Sequence, residues 1–311
     1  MRILFMGTPE FALPSLSLLL EHSYTIPAVV TVADKPQGRG RKTAFSPVKQ
    51  MALDRGLRVL QPGSLKDAGF QGQITALKPD LIVVVAFRIL PPEVYSLASF
   101  GAFNLHASLL PKYRGAAPIN WAIINGETET GVTTFFLRET VDTGSTLLQA
   151  RVSIGPDETA GELHDKLAAV GAEIVLQTVR LIEAGRAPRH EQDEKNASKA
   201  PKIFKNDCRI DWSMPAPQIH NVVRGLSPAP TAWTTHNGRV LKLYRTRSIQ
   251  NWKAKSANPP GFILSVERDE LVVRAGEGEV SIVELQQEGK KRMSAADFLR
   301  GYDLHAGDLL Q

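Results

Sequence analysis

The sequence predicts an α/β protein: a doubly wound, mostly parallel sheet with a smaller β-barrel appended at its C-terminal end. Three observations carry this. Apolar strand-like runs alternate with helical patterns over the first part of the chain. One run, Leu81-Ile82-Val83-Val84-Val85, is continuously apolar, as a central parallel strand buried on both faces must be. Beyond residue 205 the pattern changes to short apolar strands separated by turns, which suits a barrel.

In order, Arg2-Ile3-Leu4-Phe5-Met6 reads as a buried strand, and Gly7-Thr8-Pro9 turns the chain into an apolar helix that runs through Leu20. Pro9 and Pro14 suit the first turns of that helix, where a missing N–H costs nothing. A strand is expected over 26–32, then a helix over 47–55 capped by Ser46, and a strand near Val59. Another helix leads to the 81–85 strand. Residues 116–125 read as helix, 130–137 as strand, and 161–184 as a long amphipathic helix whose His164 belongs to its surface or packing. The composition then shifts. Residues 186–205 are polar and contain Pro188 and Pro201, the signature of a linker. The expected division is therefore 1–187 for the first domain, 188–205 for the linker and 206–311 for the barrel, with strands over 240–244, 261–266, 271–274 and 280–285.

Ligands in such sheets bind beyond the carboxyl ends of strands. Residues 101–118, GAFNLHASLLPKYRGAAP, open as a strand that ends there and breaks at Ser108. Asn104 and His106 lie two apart and share a face, while Phe103 and Leu105 take the other. An amide can donate to a developing oxyanion, and an imidazole can move a proton or carry a charge. The alternative is a core pair that satisfies loop backbone. Downstream, Asp142 sits in the turn Glu139-Thr140-Val141-Asp142-Thr143-Gly144. It either bonds its own backbone, as Asx-turn residues do, or faces His106 and sets its tautomer and charge. Spacing leaves both open.

Two basic segments stand out. Residues 34–42, DKPQGRGRK, carry four cations and one anion on a glycine-loosened stretch at the same sheet edge as the Asn/His segment. Such an arm is either a solvated loop or a mobile contact to phosphates. Residues 212–266 hold no Asp or Glu, yet contain Arg224, Arg239, Lys242, Arg245, Arg247, Lys253 and Lys255 with Tyr244 and Trp252 interleaved. A one-signed stripe on a barrel favours contact with a nucleic-acid backbone over an idle basic face.

Composition narrows the class. The chain has 311 residues, room for two domains, and 43% hydrophobic content. Its apolar stretches are broken by Pro or polar residues, so no membrane span is expected. The apolar N-terminus carries Glu10 and two prolines and lacks a small-x-small cleavage site, which argues against a signal peptide. Cys208 is the single cysteine, consistent with a reducing cytoplasm. Net charge is +5 at pH 7 with a pI near 9.3. Gly7 stands without a G-x-G-x-x-G, and no G-x-x-x-x-G-K-[ST] occurs, so no glycine-cradled pyrophosphate is expected.

The motifs F-N-L-H-A-S-L-L-P-x-Y-R-G-A-A-P, G-V-T-T-F-F-L and V-D-T-G strongly resemble those of the methionyl-tRNA formyltransferases. So do the opening R-I-L-F-M-G-T-P-E-F, the basic G-R-G-R-K loop and R-I-D-W-S at residues 209–213, and the likeness covers nearly the whole chain. The N-x-H…D set alone marks folate-dependent formyltransferases at large; the basic loop and basic barrel point to the tRNA-directed members. The resemblance implies a formyltransferase-like first domain and an OB-like barrel along tRNA. It implies transfer of a formyl group from 10-formyltetrahydrofolate to the α-amino group of methionyl initiator tRNA, for translation initiation. By it the catalytic residues fall on Asn104, His106 and Asp142. Folate contacts fall on Ser108, Leu109, Leu110 and Pro111, with Phe87 and Leu90 in the loop after the 81–85 strand. The arginine that enters the acceptor-stem site falls on Arg39, and Arg41 and Lys42 of the same loop are expected to bind tRNA with it. No metal is implied. The partners expected are charged initiator tRNA and folate, without a membrane, for a monomer in the cytoplasm. One departure stands out: the family's aromatic-Gly-x-Ile-Leu-Pro loop is one residue shorter here, Phe87-Arg88-Ile89-Leu90-Pro91, with Arg88 where glycine is usual. A formyltransferase acting on a small amine (a sugar nucleotide or glycinamide ribonucleotide), or a hydrolase releasing formate from the folate, would keep the Asn/His/Asp set but leave the acid-free barrel unexplained.

Overall fold

A computed structural model describes residues 1–37, 42–249, 258–267 and 270–311. In chain order the strands are β1 (Ile3–Gly7), β2 (Val29–Val30), β3 (Lys35–Gln37), β4 (Lys42–Ala44), β5 (Val59–Leu60), β6 (Leu81–Val85), β7 (Ala102–His106), β8 (Arg114–Gly115), β9 (Glu129–Phe136), β10 (Thr146–Ser153), β11 (Lys199–Ala200), β12 (Ala232–His236), β13 (Arg239–Ile249), β14 (Ile263–Glu267), β15 (Glu270–Arg274), β16 (Glu279–Gln287) and β17 (Met293–Ser294). The α-helices are α1 (Leu13–Glu21), α2 (Pro47–Asp54), α3 (Ala68–Leu77), α4 (Pro92–Tyr95), α5 (Pro118–Ile124), α6 (Ala160–Glu183), α7 (Ala216–Gly225) and α8 (Ala295–Leu299). The chain forms two compact units: 1–115, 130–152 and 164–200 in the first, and 116–129, 153–163 and 201–311 in the second. Residues 116–129 and 153–163, which the sequence reading put in the first domain, thus group with the second.

The first unit is a seven-stranded sheet of order β10-β9-β7-β6-β1-β2-β5. Its central strands run parallel, β6 between β1 and β7, while β9 joins β7 antiparallel. Continuous burial of Ile3–Gly7 and Leu81–Val85 matches their all-apolar sequences. The strand expected over 26–32 is confined to Val29–Val30; Pro27 has no N–H to give a ladder. Local chemistry sets the helix starts. Ser46 Oγ accepts from Lys49 N with Pro47 at the first helical position, and Asp67 caps α3 through Phe70 N. Leu4, Met6, Ile82, Val84 and Ala102 build an apolar cluster with Phe70 and Ile74 of α3 on one face of the sheet. On α6, a Cβ at Gly171 would come within 2.7 Å of Leu105 Cδ2, so glycine lets the helix approach β7 closely.

The stretch read as a linker is ordered against this unit as far as Ala200. His190 exchanges backbone hydrogen bonds with Thr146, and β11 pairs in parallel with β8. Its polarity reflects a strap that bonds through backbone, amide and carboxylate groups in place of apolar burial.

The second unit is an antiparallel sheet of order β12-β13-β16-β15-β14, with β17 on β16. The C-terminal residues close it. Gln311 exchanges backbone bonds with Thr235 of β12, while Leu310 bonds Gly261, and Ile263 of β14 bonds Asp308 and Gly307. Both edge strands are thereby covered, as barrel closure requires. Trp212, Ile219, Val223, Leu241, Leu243, Val273, Ile282, Leu285 and Phe298 are among its core residues. Strand β12 and helices α7 and α8, unassigned from sequence, complete it.

Candidate active site

Strand β7 supplies the first two candidate residues. Asn104 registers with Val84 of β6 and Phe135 of β9, and His106 with Thr133 of β9. Both continue, at the carboxyl end of the strand, the face that Ala102 begins. Asn104 is half-buried, and its side-chain amide bonds no group among the described residues. His106 is buried, with Nε2 2.8 Å from the carbonyl oxygen of Tyr113. A carbonyl only accepts, so Nε2 carries a hydrogen and donates it, which leaves Nδ1 as the variable nitrogen.

Asp142 meets that nitrogen. Its Oδ2 lies 3.9 Å from His106 Nδ1 and accepts from Gly115 N at 2.9 Å. The separation from Nδ1 is an ion-pair distance, longer than a direct hydrogen bond. Asp142 does not cap its own turn: it sits in the left-handed region at φ 56°, an uncommon conformation for a residue with a Cβ. Two residues on, a Cβ at Gly144 would lie 1.6 Å from the Phe136 carbonyl oxygen, so only glycine fits the turn against the end of β9.

The loop after β7 is held by a buried hydroxyl and an amide. Thr133 Oγ1 donates to Ser108 O at 2.6 Å and accepts from Leu110 N at 3.1 Å. Gln149 Nε2 donates to Leu110 O at 2.8 Å and to Thr133 Oγ1 at 3.0 Å, and Ser108 Oγ donates to Lys112 O. Ser108 and Leu110 are buried; Leu109 and Pro111 are half-buried. Phe87 packs against the apolar cluster that contains buried Leu90. Arg88 turns away to a neighbouring turn, donating to Pro62 O at 2.9 Å and Gly63 O at 3.2 Å. The substituted arginine thus anchors its loop through backbone carbonyls. Tyr113, Gly115, Thr133 and Gln149 were not picked out from sequence as individual contributors; the quoted Y-R-G and G-V-T-T motifs contained three of them.

Arg39 and Arg41 lie outside the described residues, as do Trp252, Lys253 and Lys255; Lys42 begins β4. The hairpin of β3 and β4 is rooted on Asp34, whose carboxylate accepts from Lys49 Nζ and Gln61 Nε2 and is held below its usual pKa by those two bonds. In the second unit the acid-free run is partly matched by acids from elsewhere. Arg245 pairs with Glu162 and lies 3.8 Å from Glu284. Arg224 is buried, donates to the carbonyls of Gly155 and Glu158, and has its pKa lowered by burial. Arg239, Lys242 and Arg247 have no ion pair among the described residues. No helix is long and apolar enough to cross a membrane, and no group of three or more His, Cys, Asp or Glu could hold a metal, among those same residues.

A mostly parallel sheet thus carries Asn104 and His106 at the end of β7, with Asp142 of a later turn 3.9 Å from that imidazole, and an antiparallel C-terminal unit follows. The family model for formyl transferase matches residues 1–179, and that for the formyl transferase C-terminal domain matches 202–303. The chain is 46% identical over 313 residues to a methionyl-tRNA formyltransferase of Caldanaerobacter subterraneus subsp. tengcongensis, covering all of both chains. It is 49% identical over 306 residues to one from Chlorobium luteolum, covering 97% of each. The chain belongs to the methionyl-tRNA formyltransferase family, and is a formyl-group transferase. Solved structures share its fold at lower identity. An N-formyltransferase from Helicobacter canadensis, in complex with folinic acid and dTDP-3-aminofucose, aligns with TM-score 0.68 at 18% identity over 92% of this chain and 98% of that one. HypX from Aquifex aeolicus, in complex with tetrahydrofolic acid, aligns with TM-score 0.65 at 19% identity over 99% of this chain and 50% of that one.

Proposed function

We propose that the chain moves the formyl group of 10-formyltetrahydrofolate to the α-amino group of methionyl initiator tRNA, with Asn104, His106 and Asp142 as the working groups. The observation that carries this is the Asn104 amide: half-buried, without a hydrogen-bond partner among the described residues, on the same strand face as an imidazole that a carboxylate approaches. A polar group held in that state fits a reactant oxygen. Phe87 and Leu90 offer an apolar wall that suits a pterin ring.

The folate supplies the formyl carbon; the rest is arranged by side chains. A free α-amine titrates at roughly pH 7.7–8.0, and esterification lowers that value, so a usable neutral fraction exists at pH 7 without a strong base. The harder requirement is the negative charge that develops on the formyl oxygen as the amine attacks. Asn104 donates to that oxygen. When the C–N bond to the folate breaks, the amine has given up a proton and the folate nitrogen needs one. His106 carries it at Nδ1, because Nε2 is already committed to Tyr113 O. Asp142 holds the imidazole in that orientation. Arg39, Arg41 and Lys42 contact tRNA phosphates, and Arg239, Lys242 and Arg247, which have no ion pair among the described residues, extend that contact along the barrel. The reading places the chain in the cytoplasm, as a monomer.

The test is product analysis with 10-formyltetrahydrofolate and one acceptor at a time: charged initiator tRNA, free methionine, an amino-sugar nucleotide, glycinamide ribonucleotide, or water alone. Formyl-methionine released from the tRNA, with the other acceptors inert, is expected. Formate release in water alone, or preferential formylation of a small amine, overturns the proposal.

A further inference from the structure

Between residues 191 and 199 the strap is exposed at every position except Gln192. That amide is saturated on both ends. Its Nε2 donates to Asp142 O at 2.8 Å and to Gly144 O at 2.9 Å. Its Oε1 accepts from Arg114 Nη2 at 2.8 Å and Nε at 3.1 Å. The flanking chemistry decides which end is which: two carbonyls require a donor and a guanidinium requires an acceptor. Among side chains of this length only glutamine offers both. Glutamate would turn an acceptor toward two carbonyls, and methionine would leave both sides without a partner.

What it holds matters more than how well it is held. Asp142 occupies a left-handed conformation, and the two carbonyls bound by Gln192 belong to Asp142 itself and to Gly144. Such backbone persists only where neighbours over-determine it. From the other side, Arg114 is fixed by Glu194, by Ser198 O on its N–H and by the pairing of β8 with β11. The next residue, Gly115, donates its N–H to Asp142 Oδ2, and the one before, Tyr113, accepts from His106 on its carbonyl and donates its N–H to Ser198 Oγ. Glu191 adds a second clamp through Arg138 and Ser145; its carboxyl is held below the usual range by Arg138 first and Ser145 next. The hydrogen bonds of Tyr113, Gly115 and Gln192 to the Asp142–His106 pair and its turn therefore pass through or beside this strap.

We propose that the strap is part of the catalytic apparatus and that Gln192 is a positioning residue for Asp142, acting through the backbone of the 142–144 turn. The inference rests on Asp142 working with His106, as proposed above. When the amide's donors are lost, the turn leaves its left-handed geometry, and the carboxylate moves off Nδ1 while reactant-binding surfaces stay intact.

The test compares Gln192→Glu, which keeps the bonds from Arg114, with Gln192→Met, each alone and combined with Asp142→Asn. Both single variants are expected to lower kcat by about 10-fold to 100-fold, the range that follows loss of the outer contacts orienting a metal-ligating side chain. KM for both reactants should hold and thermal melting should stay near the parent's. In the Asp142→Asn background neither should lower kcat further. Loss of activity in proportion to lost folding, a rise in KM at constant kcat, or an equal further loss in the Asp142→Asn background overturns the proposal. Unchanged kcat in both Gln192 variants, with Asp142→Asn impaired, overturns the strap alone. Unchanged kcat in Asp142→Asn overturns the reading beneath it.

Discussion

Replacing Asn104 by alanine separates chemistry from folding with unusual cleanness. The amide bonds no protein group among the described residues, so its removal breaks no hydrogen bond and strands no partner. The residue is half-buried at the end of β7, and the truncation loses only part of an amide's packing. Unfolding should become easier by no more than about 1 kcal/mol, the ordinary cost of a substitution away from core or network. In a unit of this size that is a fall in Tm of roughly 2–4 °C. Loss of a donor to a developing oxyanion costs far more, ~10²–10³ in kcat, or about 2.7–4 kcal/mol. The chemical effect thus exceeds the folding effect several-fold and can be read alone. Single-turnover formyl transfer from 10-formyltetrahydrofolate, beside a thermal melt and a titration of charged tRNA, gives the three numbers needed. We expect a slowed chemical step with tRNA affinity and melting nearly unchanged. An unaltered chemical step, or lost tRNA binding with chemistry retained, refutes the assignment.

Gly144→Ala drives a Cβ into the Phe136 carbonyl, so backbone must shift; we expect a destabilisation of about 1–3 kcal/mol by denaturant titration together with reduced kcat. Glu162 is the partner of Thr159 in a capping box at the start of α6, and its pKa falls from 4.5 to about 2 through the backbone bond from Thr159 first and its hydroxyl next. A lowered folded-state pKa stabilises above the unfolded value, so this contribution is full above about pH 4.5 and is lost as pH falls toward 2. The side chain is about half exposed, which discounts the shift; Glu162→Gln should cost about 1 kcal/mol at pH 7, and the gap to the parent should close in acid. Removing Arg39, Arg41 and Lys42 together should weaken tRNA binding and flatten the dependence of log affinity on log salt by about two to three; an unchanged slope makes that loop idle.

What could be read without coordinates was local. The Ser46 cap with Pro47 set the start of α2, the unbroken β-branched run set β6, and the two-residue period put Asn104 and His106 on one face. What escaped depended on pairs far apart in sequence. Strand alternation says nothing of whether Asp142 reaches His106, since that depends on where the β9–β10 turn lands. The strap looked like a linker because it buries almost no apolar surface, yet Gln192 works through hydrogen bonds, which leave no hydrophobic pattern. The barrel's closure by Gly307 to Gln311 was equally hidden, since backbone pairing of a tail carries no composition signal. Arg245 shows the converse: an acid-free run suggested an unmatched cation, and Glu162 matches it from another part of the chain.

In the proposed mechanism Asp142 acts on the reaction only through the imidazole of His106. The most direct test is a double-mutant cycle on the single-turnover rate, with Asp142→Asn introduced into the parent and into His106→Ala. Asp142→Asn is expected to cost about 10²-fold in the parent and nothing further once the imidazole is gone. The same loss in both backgrounds would show the carboxylate working independently of His106, and would contradict that mechanism.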